Sequence, residues 1–151
     1  MIYDKYDFTI PEQKMIRVIV DTDAKNEADD QYAIVQALLS PRFDIRGLVA
    51  AHFGTAKCAE SMQASYDELI HLLDLMKLDH SIAFHGCRRA LSNEVTPEDS
   101  EGARLIVEEA MKDDPRPLYV LFMGPLTDMA SAYLMEPKIA GRCTCIWIGG
   151  A

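Results

Sequence analysis

Basic residues are in short supply in this chain: 15 Lys and Arg stand against 24 Asp and Glu, a formal net charge of −9 over 151 residues. A surface of that sign repels phosphate, which argues against sequence-independent nucleic-acid binding and against adhesion to anionic membranes. Long apolar runs are missing too. No stretch reaches the roughly 18 residues needed to span a bilayer, and Met1-Ile2-Tyr3-Asp4-Lys5-Tyr6-Asp7 scatters charge where a secretion signal needs an apolar centre. A soluble cytoplasmic protein is the expectation. Cysteine is limited to Cys58, Cys87, Cys143 and Cys145, with no Cys-x-x-Cys pair; all four are expected to be reduced thiols, mostly buried, with Cys143 and Cys145 on one side of a strand. Internal repeats, low-complexity tracts and interdomain linkers are also absent. With 49% hydrophobic residues, the chain has material for one domain with a core.

What the sequence does have is a crowd of acids at the end of an apolar run. Val18-Ile19-Val20 reads as a buried strand, and it stops at Asp21-Thr22-Asp23-Ala24-Lys25-Asn26-Glu27-Ala28-Asp29-Asp30 before helical spacing begins. Like charges this close repel unless a positive group sits among them. Asp21, Asp23, Asp29 and Asp30 suit calcium or magnesium in ligand type, and the absence of Cys and His from the cluster argues against zinc. The alternative is a solvated loop in which Asp29 or Asp30 caps the following helix.

Taken in order, residues 1–15 read as an extended arm, and 16–151 as one α/β unit. Strands are expected at 16–21, 44–51, 82–84, 117–123 and 143–148, and helices at 29–39, 56–78, 98–112 and 126–135. This alternation indicates an open, mainly parallel, Rossmann-like sheet covered on both faces. Ligands of such sheets lie beyond the carboxyl ends of the strands, which places the aspartates, His52, Gly54-Thr55, His85-Gly86 and the turn Gly124-Pro125-Leu126-Thr127 on one rim. Ile146-Trp147-Ile148 reads as a central strand, with Trp147 and Tyr119 as core residues and Arg88-Arg89 as a solvated pair. The chain stops at Gly149-Gly150-Ala151, where a turn would launch the next element. It is therefore expected to be part of a longer enzyme or a shortened relative of one.

The strand ending in Asp21-x-Asp23 with Asp29-Asp30 opening the next helix resembles the amino-terminal signature of the nucleoside hydrolase (nucleoside N-ribohydrolase) superfamily. Most members have three residues between the second Asp and the Asp pair; here there are two more. Leu118-Tyr119-Val120-Leu121-Phe122-Met123-Gly124-Pro125-Leu126-Thr127-Asp128-Met129-Ala130 resembles the family's Gly-Pro-Leu-Thr-Asn segment, with Asp128 in place of Asn, and Ile146-Trp147-Ile148-Gly149-Gly150 resembles its Met-Gly-Gly strand end. The resemblance implies calcium-dependent cleavage of the N-glycosidic bond of ribonucleosides, by a homodimer or homotetramer. Asp23 would be the base and, with Asp30 and the backbone carbonyl of Thr127, a calcium ligand; Asp29 would bind ribose, and Asp21 would support the loop. Gly54-Thr55 replaces the family's Gly-Asn, and Asn26 is a candidate substitute for the missing sugar-binding amide. His52 and His85 are candidates for contact with the departing base, or ordinary loop histidines. The family's later sugar-binding and His-Asp segments have no counterpart before residue 151, so little activity is expected of this chain alone. A non-catalytic sugar- or nucleoside-binding member is the runner-up. A magnesium-dependent Asp-x-Asp phosphatase fits less well, because Lys25 stands at the wrong position.

Overall fold

The computed structural model describes residues 7–149. Of the amino-terminal arm, residues 1–6 lie outside them; the rest is an exposed approach with a single 3₁₀ turn at Glu12–Lys14. The main elements are β1 (Ile16–Thr22), α1 (Asp29–Leu39), β2 (Phe43–Ala50), α2 (Ser61–Met76), β3 (Ala83–His85), α3 (Glu101–Met111), β4 (Leu118–Phe122), α4 (Thr127–Met135) and β5 (Thr144–Trp147). All strand pairs are parallel and the order is β3-β2-β1-β4-β5. The α/β expectation therefore holds.

Strand β1 lies at the centre, and its run of apolar, mostly β-branched residues follows from burial on both faces. Alternation sends Val18 and Val20 into one core with Ile34, Leu38, Leu69 and Leu73 of α1 and α2. It sends Ile19 into the other, with Ile106 of α3, Ala132 of α4 and Phe122. By the same alternation Asp21 falls on the α3–α4 face and Thr22 on the α1–α2 face. At the amino ends of the strands the buried charge is paired. Arg17 Nη1 donates to the Glu109 carbonyl at 2.7 Å, Arg17 Nη2 to the Arg116 carbonyl at 3.0 Å, and Glu109 is flanked by Lys112 at 2.5 Å and Arg46 at 3.2 Å.

Three expectations are corrected. Helix α2 starts at Ser61 rather than 56, because residues 56–60 form an exposed loop; the Phe53 N–H donates to Ser61 Oγ at 3.2 Å at its close. Strand β5 is an edge of the described sheet rather than central, so Trp147 is 51% exposed instead of core, and Ile146 and Ile148 are exposed with it. Only Cys87 of the four free thiols is buried; Cys58 and Cys143 are half-buried and Cys145, on β5, is exposed.

Helix α3 approaches β2 closely at Gly102, where an added Cβ would collide with Val49 Cγ1 and lie 3.0 Å from Asp128 Oδ1. Gly102→Ala therefore sets a helix-propensity gain of about 1 kcal/mol against overpacking of about 1–3 kcal/mol. Overpacking dominates because the struck Val49 side chain is fully buried. Urea denaturation should show a lower midpoint for the variant, and a midpoint at or above wild type would contradict the packing described.

Candidate functional site

The site grows from the carboxyl end of β1. Neighbouring strands hold this tip on both sides: the Ala51 N–H donates to the Thr22 carbonyl at 2.8 Å, and the Met123 N–H to the Asp21 carbonyl at 2.9 Å. Past the tip, the chain closes a turn through Asn26 N–H to the Asp23 carbonyl at 2.7 Å and enters α1. The helix N-cap is Ala28, whose side chain makes no capping bond. Asp29 and Asp30 follow in the first turn, where the helix dipole favours them, but neither is the cap. Asp30 is buried and turned back toward the strand, so the solvated capping loop does not describe it. Its Oδ2 accepts the Thr22 hydroxyl at 2.6 Å, and its carboxyl lies beside that of Asp23, so that each influences the proton affinity of the other. Two carboxyl groups so placed can hydrogen-bond only when one of them is protonated.

The electrostatics follow from that crowding. Burial pushes Asp30 up to about 6; the Thr22 hydroxyl opposes this, and the charges of Asp23 and Asp29 add to it. Burial also raises Asp23, against the Asn26 amide that favours its ionised form. Asp21 is wholly buried, neither carboxyl oxygen has a partner among the described residues, and burial followed by the charges of Asp128 and Asp23 raises it well above the ordinary range. Asp128 lies in the first turn of α4. Its Oδ1 accepts the Cys87 N–H at 2.9 Å and the Ser100 hydroxyl at 2.6 Å, the hydroxyl in turn capping α3 through Ala103 N–H at 2.9 Å. These partners only donate, so Asp serves at this position where the resemblance expects Asn.

Strand β4 supplies the opposite wall. A Cβ on Gly124 would lie 2.9 Å from Asp23 Cγ, so the backbone passes directly against the carboxylate, and Trp147 Nε1 holds this turn by donating to the Gly124 carbonyl at 2.9 Å. His52 ties the end of β2 to α4. The Gly54 N–H donates to its Nδ1 at 3.2 Å, which leaves the proton on Nε2 to donate to Thr127 Oγ1 at 2.9 Å. Burial lowers the His52 pKa, in keeping with a neutral ring.

Asp21, Asp23, Asp30, Asn26, Thr127 and His52 thus belong to one connected region. Asp29 and Thr55 are exposed at its mouth. His85 is drawn elsewhere: at the edge strand it stacks on Tyr66 with ring centroids 3.8 Å apart, and both its Nδ1 and its backbone N–H engage Glu101 Oε2, at 3.0 and 2.9 Å. It lines a cavity of about 590 Å³ with Phe84, Arg104 and Glu108. Sequence reasoning passed over Thr22, Lys57 and the closeness of Gly124 to Asp23, and treated Asp128 as a minor substitution. A glycine ending an apolar strand was the one visible signal among these.

The donors are hard oxygens and, among the described residues, no buried cation neutralises their charge, so in type they fit calcium or magnesium. Among the described residues no group of three or more His, Cys, Asp or Glu side chains converges as a metal cage. A cation here would rest on Asp23, Asp30 and backbone oxygen, with water or substrate completing its shell.

A carboxyl whose pKa is raised by folding contributes full stability below its unfolded value, near 3.8, and that contribution is lost as pH rises through the folded value of about 6. Asn at position 30 would still accept from Thr22 and would donate to Asp23, as the protonated acid does. Without metal, Asp30→Asn should therefore stabilise the chain at pH 7.5 by about 2 kcal/mol, a rise of about 4–8 °C in melting temperature, and should flatten the pH dependence between about 5 and 7. Differential scanning calorimetry across that range decides the point; a variant melting at or below wild type at pH 7.5 would contradict the raised proton affinity of Asp30.

The inosine-uridine preferring nucleoside hydrolase family matches residues 18–151. No curated protein sequence matches the chain. Among solved structures, a purine-preferring ribonucleoside hydrolase from Gardnerella vaginalis superposes with a TM-score of 0.71 at 20% identity, covering 89% of this chain and 49% of that one. A plant nucleoside hydrolase gives 0.65 at 20%, covering 90% and 48%. An inosine-uridine preferring nucleoside hydrolase from Bacillus anthracis gives 0.59 at 17%, covering 91% and 51%. At such identities the structures speak for the fold, and the chain spans about half the length of each. The family match covers nearly the whole chain and takes in both the aspartate cluster and the Gly124–Thr127 turn, so the chain belongs to the inosine-uridine preferring nucleoside hydrolase family.

Proposed function

We propose that this chain forms the amino-terminal part of a calcium-dependent site that hydrolyses the N-glycosidic bond of ribonucleosides to ribose and free base. The observation that carries the reading is the buried pair of carboxylates Asp23 and Asp30, held between the tips of β1 and β4 with Gly124 against Asp23. Asp23, Asp30 and the Thr127 carbonyl would hold the ion, which when bound supplies positive charge among the acids and makes a neighbouring water more acidic.

Asp23 acts as general base: it accepts a proton from water as the water oxygen attacks the anomeric carbon. The bond to the base nitrogen breaks, and its electron pair departs with the base. Positive charge develops on the sugar, and the remaining carboxylates stabilise it. Asp29, exposed with no partner among the described residues, is the group this reading assigns to accept a ribose hydroxyl. His52 contributes by fixing the Thr127 turn, since both of its ring nitrogens are engaged. The working protein in this reading is a homo-oligomer.

Because the chain spans about half the length of the solved structures it matches, a member that binds a nucleoside without cleaving it is the alternative. Calorimetric titration with calcium tests the first half of the reading, and release of reducing sugar from inosine or uridine tests the second. Wild type should bind calcium, and an Asp23→Ala, Asp30→Ala double variant should lose at least tenfold in affinity. Equal affinity in the two would sink the metal site; calcium and nucleoside binding without sugar release would favour the non-catalytic alternative.

A further inference from the structure

The loop between Asp23 and Asp29 carries a feature that the proposed chemistry does not use. Asn26 Nδ2 donates to Asp23 Oδ2 at 3.1 Å, and Asn26 Oδ1 accepts from Lys57 Nζ at 2.7 Å. An ammonium group has only donors and a carboxylate only acceptors. A single orientation of the Asn26 amide satisfies both, with oxygen toward Lys57 and nitrogen toward Asp23. Lys57 has no carboxylate partner among the described residues. That is notable in a chain of net charge −9, and within reach of an acidic loop.

The other lysine nearby has a different task. Lys25 Nζ meets Glu68 Oε2 of α2 at 2.8 Å, and Gln31 Nε2 of α1 donates to the Ala24 carbonyl at 2.8 Å. Together with the Asp23–Asn26 backbone turn at 2.7 Å, these contacts pin the loop without help from Lys57. What Lys57 adds is the direction of one amide.

We propose that Lys57 and Asn26 are a positioning pair: Lys57 fixes the Asn26 amide so that its N–H sets the Asp23 carboxylate toward the reacting centre. Asn26 is thereby a positioning residue rather than the replacement for a sugar-binding amide, because its oxygen and one amide hydrogen are already committed. The pair spans two loops, residues 23–28 and 54–60, so it also ties the loop after β2 to the acidic loop. The functional consequence rests on the reading of Asp23 as ligand and base.

The test uses the full chain, labelled with ¹⁵N and ¹³C and free of metal, as wild type, Lys57→Met and Lys57→Arg. Lys57 is exposed and the loop is pinned elsewhere, so both variants should melt as wild type does. Lys57→Met should shift the Asn26 side-chain amide signals and the Asp23 carboxyl carbon, and Lys57→Arg, which keeps the donors, should restore both. Signals unmoved in Lys57→Met, or moved equally in Lys57→Arg, would overturn the pair.

Calcium titration of the same proteins reads the consequence. Removing a positive charge beside carboxylates tightens cation binding by Coulomb's law alone, whereas loss of positioning loosens it. A severalfold weakening in Lys57→Met with recovery in Lys57→Arg is expected, and equal or tighter binding in Lys57→Met would overturn the positioning role. A wild-type chain without calcium affinity would overturn the proposed function instead, leaving the resonances of Asn26 and Asp23 to rule on the pair.

Discussion

Carboxylate charge without a counter-charge at the tip of β1 is the constraint on which the rest of this molecule depends. Asp21 is fully buried with neither oxygen bonded among the described residues, and the carboxyl groups of Asp23 and Asp30 crowd together a few residues away, both with raised proton affinity. Burial of an unpaired charge costs several kcal/mol unless the group neutralises or finds a partner. The fold responds by raising the proton affinity of Asp21, Asp23, Asp30 and Asp128 together. Perturbed acids gathered at the carboxyl ends of parallel strands mark a functional site with a stated physical cause.

The two ends of the sheet treat charge in opposite ways. At the amino ends, Arg17, Arg46 and Arg116 are matched by Glu109, Asp44 and Asp114, so that little charge there is left for a ligand. At the carboxyl ends no arginine pairs with Asp21, Asp23, Asp30 or Asp128 among the described residues, and hydrogen bonds from Thr22, Asn26, Ser100 and the Cys87 N–H substitute in part. Stability resides at one pole and unsatisfied acceptor capacity at the other. A site that binds a cation or stabilises a developing positive charge needs this second condition, and the paired pole lets the fold tolerate it.

The walls of the site come from elements far apart in sequence. Gly124 brings the β4 turn against Asp23, and Trp147 fastens that turn from β5. His52 joins the β2 tip to Thr127, and Asp128 fastens the starts of α3 and α4 to the segment after β3. The acid cluster is therefore held from both neighbouring strands and from both helical layers. Ile146, Trp147 and Ile148 are exposed along the β5 edge of the described sheet.

The sequence by itself determined the α/β class, nearly every element and the place of the acids, because strand and helix periods and an abrupt change from apolar to acidic residues are local signals. Its match to the family rested on the order of motifs along the chain, which is also local. Tertiary structure alone decided what those residues touch. The amide of Asn26 was legible as a polar group but its commitment to Lys57 and Asp23 was not, since Asn26 and Lys57, 31 positions apart, meet only through the β1–α1–β2 crossover. Asp30 could have capped a helix or faced the strand, and the Thr22 hydroxyl and the Asp23 carboxyl decided between them. His85 shares the rim by register with Ala50, yet stacking on Tyr66 and the bond to Glu101 draw it to the sheet edge. Trp147 has a core residue's composition but an edge strand's exposure, because burial depends on which strands lie alongside, and strand order is fixed by packing across the whole sheet rather than by the residues of any one strand.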